Sequence, residues 1–127
     1  RLGTAAGVEL VDFNYPQHLE GLTPAAVSAA LAAANLSVGA VNVRFPASTF
    51  RRGGAFTNPD AAVRAAAVDL VAGACTWARQ LSAAGGVVVW PQFDGYDYHL
   101  QVNHTDTWSR GVVALRAAVD RVECAGG

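Results

Sequence analysis

An amphipathic helix that leads into an unbroken valine strand is the feature that most limits how this chain can fold. Asn58, Pro59 and Asp60 mark the predicted helix start, because asparagine caps, proline suits the first helical position and aspartate complements the positive end of the helix dipole. Apolar residues then recur at steps of three and four on one face. They are Val63, Ala67, Leu70, Val71, Ala74, Trp77, Ala78 and Leu81. Two glycines end this pattern, and residues 87–90 follow as a run typical of a strand covered on both faces.

The same order of strand and helix occurs twice more along the chain. Residues 8–15 and residues 38–45 alternate apolar with polar side chains, and a proline stops each run. Repeated units of this kind predict parallel strands joined by right-handed crossovers. The sequence therefore predicts an α/β fold with three parallel βα units, over residues 8–34, 38–82 and 87–122.

Two further helices complete these units. Thr23 and Pro24 form a capped start, and Asn35 can end the alanine-rich helix that follows. The last predicted helix covers residues 106–122. Its predicted buried stripe consists of Trp108, Val112, Leu115, Val119 and Val122.

The loop after the valine run is the predicted functional site, because ligand sites of parallel α/β folds lie beyond the carboxyl ends of the strands. Within a dozen residues it combines carboxylates, aromatic rings, a histidine and an amide. The candidates are Trp90, Asp94, Tyr98, His99 and Gln101. The alternative is that Trp90 fills a core and Asp94 belongs to an ordinary turn.

Other polar residues follow the first two predicted strands. His18 is a weak catalytic candidate, able to act as a base or to bind a substrate hydroxyl, and a solvated loop histidine is the alternative. Arg51 and Arg52 stand beside two glycines and could hold a phosphate or carboxylate. A solvated turn explains them equally well, because the glycines match no P-loop pattern.

Composition excludes several classes of function. The 127 residues suit one domain, and 52% apolar residues can form a core. A net charge of −1 without any lysine argues against a nucleic-acid partner. No stretch is expected to reach the roughly 20 apolar residues of a membrane span. With no initial methionine or secretory leader, the chain is expected to be a piece of a longer cytoplasmic protein.

The cysteines show no metal-binding pattern. Cys75 and Cys124 fall on separate predicted helices, with no CxxC or mixed cysteine and histidine spacing around them. Both are expected to be small buried apolar residues, and a disulfide has no support.

Two motifs resemble a known family. The first is a Phe-Thr-x-x-Asp-x-x-Val-Arg helix opening, formed here by Phe56, Thr57, Asp60, Val63 and Arg64. The second is a strand ending in tryptophan and followed by an acidic-Gly pair, formed by Trp90, Asp94 and Gly95. Together they resemble the xylose-isomerase-like (β/α)8 TIM barrels, which include xylose isomerase and sugar phosphate isomerases and epimerases. The resemblance implies that residues 1–127 form an incomplete barrel domain, corresponding to the second to fourth βα units.

The resemblance also implies a function. Phe45 and Trp90 would line the pocket for a sugar or sugar phosphate, and the parent enzyme would interconvert aldose and ketose or epimerise a carbon next to a carbonyl. A divalent metal such as Mg²⁺ or Mn²⁺ would be held by residues on later strands, so no residue of this segment is expected to be a metal ligand. The segment alone is expected to be inactive, and the resemblance leaves a homo-oligomer open.

Two departures separate this chain from xylose isomerase itself. His18 is displaced from the position of the ring-opening histidine, and Pro91-Gln92 replaces a glycine pair. The chain therefore resembles the broader isomerase and epimerase relatives more closely. A non-catalytic carbohydrate-binding or scaffold relative is the alternative, and acidic residues at further strand ends would distinguish the two. An apurinic-site endonuclease of the same barrel type fits poorly without a basic surface.

Overall fold

The structure is a computed structural model that describes residues 7–95 and 100–124. Over those residues the chain forms a three-stranded parallel sheet in the order β1-β2-β3, with four helices. The elements in chain order are β1 (Leu10–Tyr15), α1 (Pro24–Ala33), β2 (Ser37–Val43), α2 (Ala47–Phe50), α3 (Ala61–Gln80), β3 (Val87–Val89) and α4 (His104–Cys124). The predicted α/β fold with parallel strands is confirmed, and α2 is an additional short helix within a predicted loop.

The chain divides into two compact units. The sheet unit comprises Arg1–Arg44 and Gly73–Val89, and the helical unit comprises Phe45–Ala72 and Trp90–Gly127. The sheet unit contains all strands of the described residues, and the helical unit contains α2, the first part of α3 and α4.

Strand β2 is the centre of the sheet unit, and a bulge adjusts its register with β1. The pairing steps from Val11↔Val38 to Phe13↔Val41, so β2 contributes one extra residue there. The side chain of Asp12 compensates for this irregularity, because its Oδ1 accepts a hydrogen bond from the amide of Ala40 at 2.8 Å. Register is then regular up to the carboxyl ends of both strands.

Burial follows the position of each strand in the sheet. In β2, Val41 and Val43 are buried on the predicted face. Val38 and Ala40 are buried as well, so the first part of this central strand is covered on both faces instead of alternating. The expectation that the valine run is covered on both faces is wrong for β3, since Val88 is 46% exposed. Within the described residues β3 pairs only with β2, so it is an edge strand and has less cover.

The predicted amphipathic face of α3 is confirmed, but its start is not where the capping pattern placed it. Ala67, Val71 and Ala74 are buried along this face. The helix begins at Ala61, and Asp60 caps it by accepting a hydrogen bond from the Ala62 amide at 2.8 Å. The asparagine two residues earlier belongs to the preceding turn. In α1, by contrast, the predicted cap by the threonine before Pro24 is confirmed.

Helix α3 also meets the length and composition of a membrane span, which the sequence was not expected to contain. Its run of alanine and valine carries few charges, and that composition alone accounts for the result. A buried helix in a folded domain passes the same test, so this property does not identify a membrane partner.

The buried face of α4 is not the predicted one. Small residues form it, namely Thr107, Gly111, Ala114 and Ala118. In the predicted stripe, Trp108 is 75% exposed, and Leu115 and Val119 are also exposed. Val112 is half-buried, so the buried face of α4 is turned toward the small residues and away from the bulkier ones.

Candidate functional site

The carboxyl ends of β1, β2 and β3 lie at the same edge of the sheet. Tyr15 pairs with Val43, and Val43 pairs with Val89, so all three strands end in one register. In parallel α/β folds this edge is where ligand sites form. The residues that directly follow each strand are therefore the candidates for ligand binding.

His18 follows β1 and is oriented by its neighbours in the sheet unit. Its Nδ1 accepts a hydrogen bond from the Asn14 amide at 3.1 Å, and the Asn14 side-chain oxygen accepts one from Arg44 Nε at 3.1 Å. The other ring nitrogen, Nε2, lies 3.5 Å from Asn14 Nδ2. Both ring nitrogens of His18 therefore face Asn14, which orients the ring at the end of β1.

Phe45, the first residue of the helical unit, is a core residue. Its ring packs edge to face against Phe50 and Phe56, with centroids 5.3 and 5.4 Å apart. Only 2% of Phe45 is exposed. Such aromatic pairs add about 0.5–1.5 kcal/mol beyond the burial of their area. The ring supports the loop from inside and does not present a free face.

Asp94 binds the backbone of a neighbouring loop. Its Oδ1 accepts hydrogen bonds from the amides of Ala55 and Thr57 at 3.0 and 2.8 Å and from the Thr57 hydroxyl at 2.5 Å. Its Oδ2 accepts a longer bond of 3.4 Å from the Phe56 amide. A Cβ on Gly54 would collide with the same carboxylate oxygen, so this close approach requires glycine. Asp94 therefore organises the 54–57 turn.

The predicted helix-opening motif completes the same loop. Asn58 is 5% exposed, and its Nδ2 donates to the carbonyl oxygens of Arg52 and Gly54 at 2.8 and 2.9 Å. Arg64 reaches back from α3, where its Nη1 donates to the carbonyl oxygen of Asn58 at 2.7 Å. The motif residues act on the conformation of the loop. Arg51 has an exposed side chain outside this network.

The other predicted residues differ in how the structure places them. Trp90 follows β3 directly and is 58% exposed, so an aromatic surface is accessible there. Gln92 donates from Nε2 to the carbonyl oxygen of Phe45 at 3.4 Å. Tyr98 and His99 lie outside the described residues.

Gln101 lines a cavity of about 330 Å³ in the helical unit. The cavity lies between the 53–59 loop and the start of α4. Six of its nine lining residues have polar side chains, although apolar atoms form the larger part of its surface. The lining residues are Gly53, Thr57, Pro59, Gln101, Val102, Asn103, Asp106, Thr107 and Arg110. Its volume is at the small end of the range of roughly 300–1,000 Å³ that ligand pockets span.

Arg110 is the most constrained polar side chain of this cavity. Its Nε donates to the carbonyl oxygen of Thr57 at 2.9 Å, and its Nη2 donates to Thr107 Oγ1 at 3.2 Å. None of the motifs pointed to Arg110, Asp106 or Thr107. The available signal was the set of polar side chains in the first two turns of α4, on the side away from its apolar stripe.

Metal binding and thiol chemistry find little support in the described residues. Across 7–95 and 100–124 no three histidine, cysteine, aspartate or glutamate side chains come together as a metal site. The residues present therefore do not fit a divalent cation. Cys75 has a free thiol, and burial raises its pKa, while the positive charge of Arg79 lowers it by a smaller amount.

Comparisons with known proteins identify the fold. No protein-family model and no curated protein matches this chain. Among solved structures, the chain is similar to an L-ribulose 3-epimerase, with 24% identity and a TM-score of 0.63 over 94% of this chain and 37% of that one. It is also similar to a D-psicose 3-epimerase from Clostridium cellulolyticum H10 solved with D-tagatose, with 15% identity and a TM-score of 0.63 over 94% of this chain and 40% of that one.

This chain thus spans less than half the length of the two epimerases. At these identities the likeness concerns the fold. The three parallel βα units of the described residues correspond to part of a (β/α)8 TIM barrel, as the sequence predicted.

Proposed function

We propose that this chain is part of a sugar isomerase or epimerase and that it forms walls of the sugar pocket. The observation that carries the proposal is the similarity of 94% of the chain to two sugar 3-epimerases. The helix-opening motif and the Trp90–Asp94 motif, which resemble the xylose-isomerase-like family, support it independently. We further propose that residues 1–127 belong to one barrel domain of a cytoplasmic protein.

The proposed roles follow from the placement of each side chain. Trp90 offers an exposed ring to the apolar face of a sugar. His18 keeps the role proposed from the sequence, that of a weak catalytic candidate. Gln101 supplies an amide in the cavity. Asp94 acts indirectly as a positioning residue, because its carboxylate oxygens are used by the 54–57 turn.

Tyr98 and His99 stay substrate-binding candidates from the sequence, and Phe45 supports the loop from the core. The reaction that the resemblance implies moves hydrogen between adjacent carbons of a sugar. Because the described residues do not fit a metal, this segment is assigned binding and orientation of substrate. The residues that carry out bond breaking are assigned to other βα units of the barrel.

A non-catalytic carbohydrate-binding relative of the same fold is the second candidate. The metal ligands of an enzyme are expected on later strands, so the lack of a metal-ligand group among residues 7–95 and 100–124 is compatible with both candidates. Both candidates require the sugar pocket. They differ in whether the longer protein turns over aldoses and ketoses, with or without phosphate.

The decisive experiment uses the protein encoded by the whole open reading frame. It is incubated with panels of aldoses and ketoses and with added Mg²⁺ or Mn²⁺, and interconversion is followed by chromatography. We expect turnover of at least one sugar. Saturable sugar binding without turnover would favour the non-catalytic binding relative. If the protein shows no sugar binding and no turnover, both candidates are refuted.

Substitution of Trp90 tests the pocket assignment in that same protein. Covering roughly 50 Å² of ring at about 25 cal/mol per Å² is worth about 1.3 kcal/mol, so Trp90→Ala should weaken sugar binding close to tenfold. Trp108→Ala is the matched control, because it removes another exposed tryptophan that is assigned no sugar contact. Equal affinities for the Trp90→Ala variant and the unmodified protein would make Trp90 a packing residue.

A further inference from the structure

The cavity beside α4 carries an inference about the charge of its ligand. Of the sequence-based site candidates that the structure describes, only Gln101 lines it. Two oppositely charged side chains, Asp106 and Arg110, lie one helical turn apart and line the same space. What this pair can bind depends on whether its groups are already satisfied.

The guanidinium group of Arg110 is held in place before any ligand binds. The carbonyl oxygen of Thr57 accepts a hydrogen bond from Arg110 Nε. Thr57 is itself fixed, because its amide and its hydroxyl both donate to Asp94. The Thr107 hydroxyl that accepts from Nη2 is itself bonded to the carbonyl oxygen of Asn103 at 3.0 Å. A planar guanidinium fixed at two nitrogens loses little further conformational freedom when a third nitrogen binds a ligand.

The remaining hydrogen-bonding capacity of the pair is unused. Within the described residues, neither Arg110 Nη1 nor the Asp106 carboxylate has a hydrogen-bond partner, and the two side chains form no ion pair with each other. Arg110 Nη1 can only donate, and the ionised carboxylate can only accept. The amide group of Gln101 adds a donor and an acceptor to the same lining, whereas Asn103 Oδ1 already accepts from the amides of Thr105 and Asp106 at the start of α4.

The balance of charge selects among ligand classes. A phosphate ester would gain from Arg110 but would face the carboxylate of Asp106, and a cation would meet the reverse conflict. A hydroxyl group both donates and accepts, so neighbouring hydroxyls of one neutral molecule can satisfy both side chains. The volume of about 330 Å³ suits a small ligand.

We infer that this cavity binds an uncharged polyol, with Arg110 Nη1 donating to one hydroxyl oxygen and Asp106 accepting from a neighbouring hydroxyl. The inference rests on the proposed function in that the polyol is the unphosphorylated sugar substrate. It makes Arg110 and Asp106 binding residues that discriminate against sugar phosphates.

The test uses the protein encoded by the whole open reading frame, labelled with ¹⁵N and titrated with D-tagatose, D-fructose and fructose 6-phosphate. The Nε–H resonance of Arg110 is followed, after assignment by its loss in Arg110→Met. We expect this resonance to shift saturably with at least one free sugar, and we expect the phosphate ester to bind no more tightly. Tighter binding of the ester, or no shift with either sugar, would overturn the inference.

Single substitutions distinguish a specific loss of ligand binding at Arg110 or Asp106 from a general effect on helix α4. Loss of one hydrogen bond to a charged group corresponds to about tenfold in affinity, so Arg110→Met and Asp106→Asn should each weaken sugar binding by about that factor. Arg116→Met is the control, because Arg116 is an exposed arginine of α4 that does not line the cavity. Asp106→Asn is expected to fold normally, because the Asp106 side chain is exposed. It therefore tests the cavity even if Arg110→Met fails to fold.

The same variants in the longer protein distinguish this inference from the proposed function. If turnover exists and KM for the sugar is unchanged by Asp106→Asn and Arg110→Met, the cavity assignment fails and the enzyme assignment stands. If the longer protein binds sugar through Arg110 but turns over none, the cavity assignment stands and the enzyme assignment fails.

Discussion

Replacement of Asp94 is the sharpest test of how the loops of the helical unit are held. In Asp94→Ala, the amides of Ala55, Phe56 and Thr57 and the Thr57 hydroxyl lose their acceptor. Ala55 and Phe56 are buried at 0% and 2% exposure, so water cannot readily replace the carboxylate at their amides. A buried donor left without a partner costs about 1–3 kcal/mol, and a hydrogen bond to a charged group contributes about 1.5–3 kcal/mol.

These contributions are not additive, because one carboxylate serves all four donors and the Phe56 bond is long at 3.4 Å. We therefore expect Asp94→Ala to lower the free energy of unfolding by about 3–5 kcal/mol. Asp94→Asn keeps the shape and one carbonyl oxygen but loses the charge. It should cost about 1–2 kcal/mol, since neutral hydrogen bonds are roughly half as strong as charged ones.

Urea denaturation followed by circular dichroism measures these differences, and hydrogen exchange of the Ala55 and Thr57 amides reports the loop directly. Asp120→Ala, an exposed aspartate of α4, is the control and should stay within about 0.5 kcal/mol. A loss below about 1 kcal/mol for Asp94→Ala, with both loop amides still protected, would refute the role assigned to this carboxylate.

Three further predictions address the packing of the helices and the thiol. Gly73→Ala should destabilise the protein by about 1–2 kcal/mol in urea denaturation, because a Cβ there would lie 2.8 Å from Cζ of the tyrosine that ends β1. Gly111→Ala, which meets only a threonine methyl group at 3.4 Å, should stabilise α4 by up to about 1 kcal/mol, and equal effects of the two would contradict both assignments. Ala118→Leu should cost about 1–3 kcal/mol in the same assay and Val119→Leu almost nothing, and the opposite order would restore the predicted face of α4. Alkylation of Cys75, with the other cysteine replaced by serine, should be slower than that of a free thiol at pH 8 and should still accelerate above pH 9, because burial raises its pKa; a rate already constant at pH 8 would rule this out.

The alternation of strands and helices was predictable because it depends on local periodicity. Each strand candidate and each long helix occurs within a few residues of its predicted position. The error at Asp60 shows the limit of local signals. Both Asn58 and Asp60 have side chains that can cap a helix. Asn58 donates instead to the carbonyl oxygens of Arg52 and Gly54, and Asp60 therefore caps α3.

The face of α4 was mispredicted for a reason of packing. Hydropathy favours Trp108, Leu115 and Val119 over small residues, so the apolar pattern selects the larger side chains for the core. The folded chain instead buries small residues of α4, such as Gly111 and Ala118. The spacing of small residues along the helix was the signal that could have found this face.

The cavity could not be predicted because its parts are distant in sequence. Thr57 and Arg110 are 53 residues apart and are joined by one hydrogen bond that exists only in the folded chain. Asp94 was chosen because acidic residues beside aromatic ones often bind ligands. Sequence contains no sign that this carboxylate turns toward the backbone of a loop 37 to 39 residues away.

Thr57 connects these findings, because it belongs to both networks. Its amide and hydroxyl bind Asp94, and its carbonyl oxygen accepts from Arg110. The two motifs that resemble the sugar isomerase family therefore meet at one residue that positions a side chain outside both motifs. Residues of a family motif can thus serve to hold the loop that orients a binding group, rather than to contact the ligand. A change at Asp94 should consequently alter the position of the Arg110 guanidinium although the two side chains share no contact among the described residues.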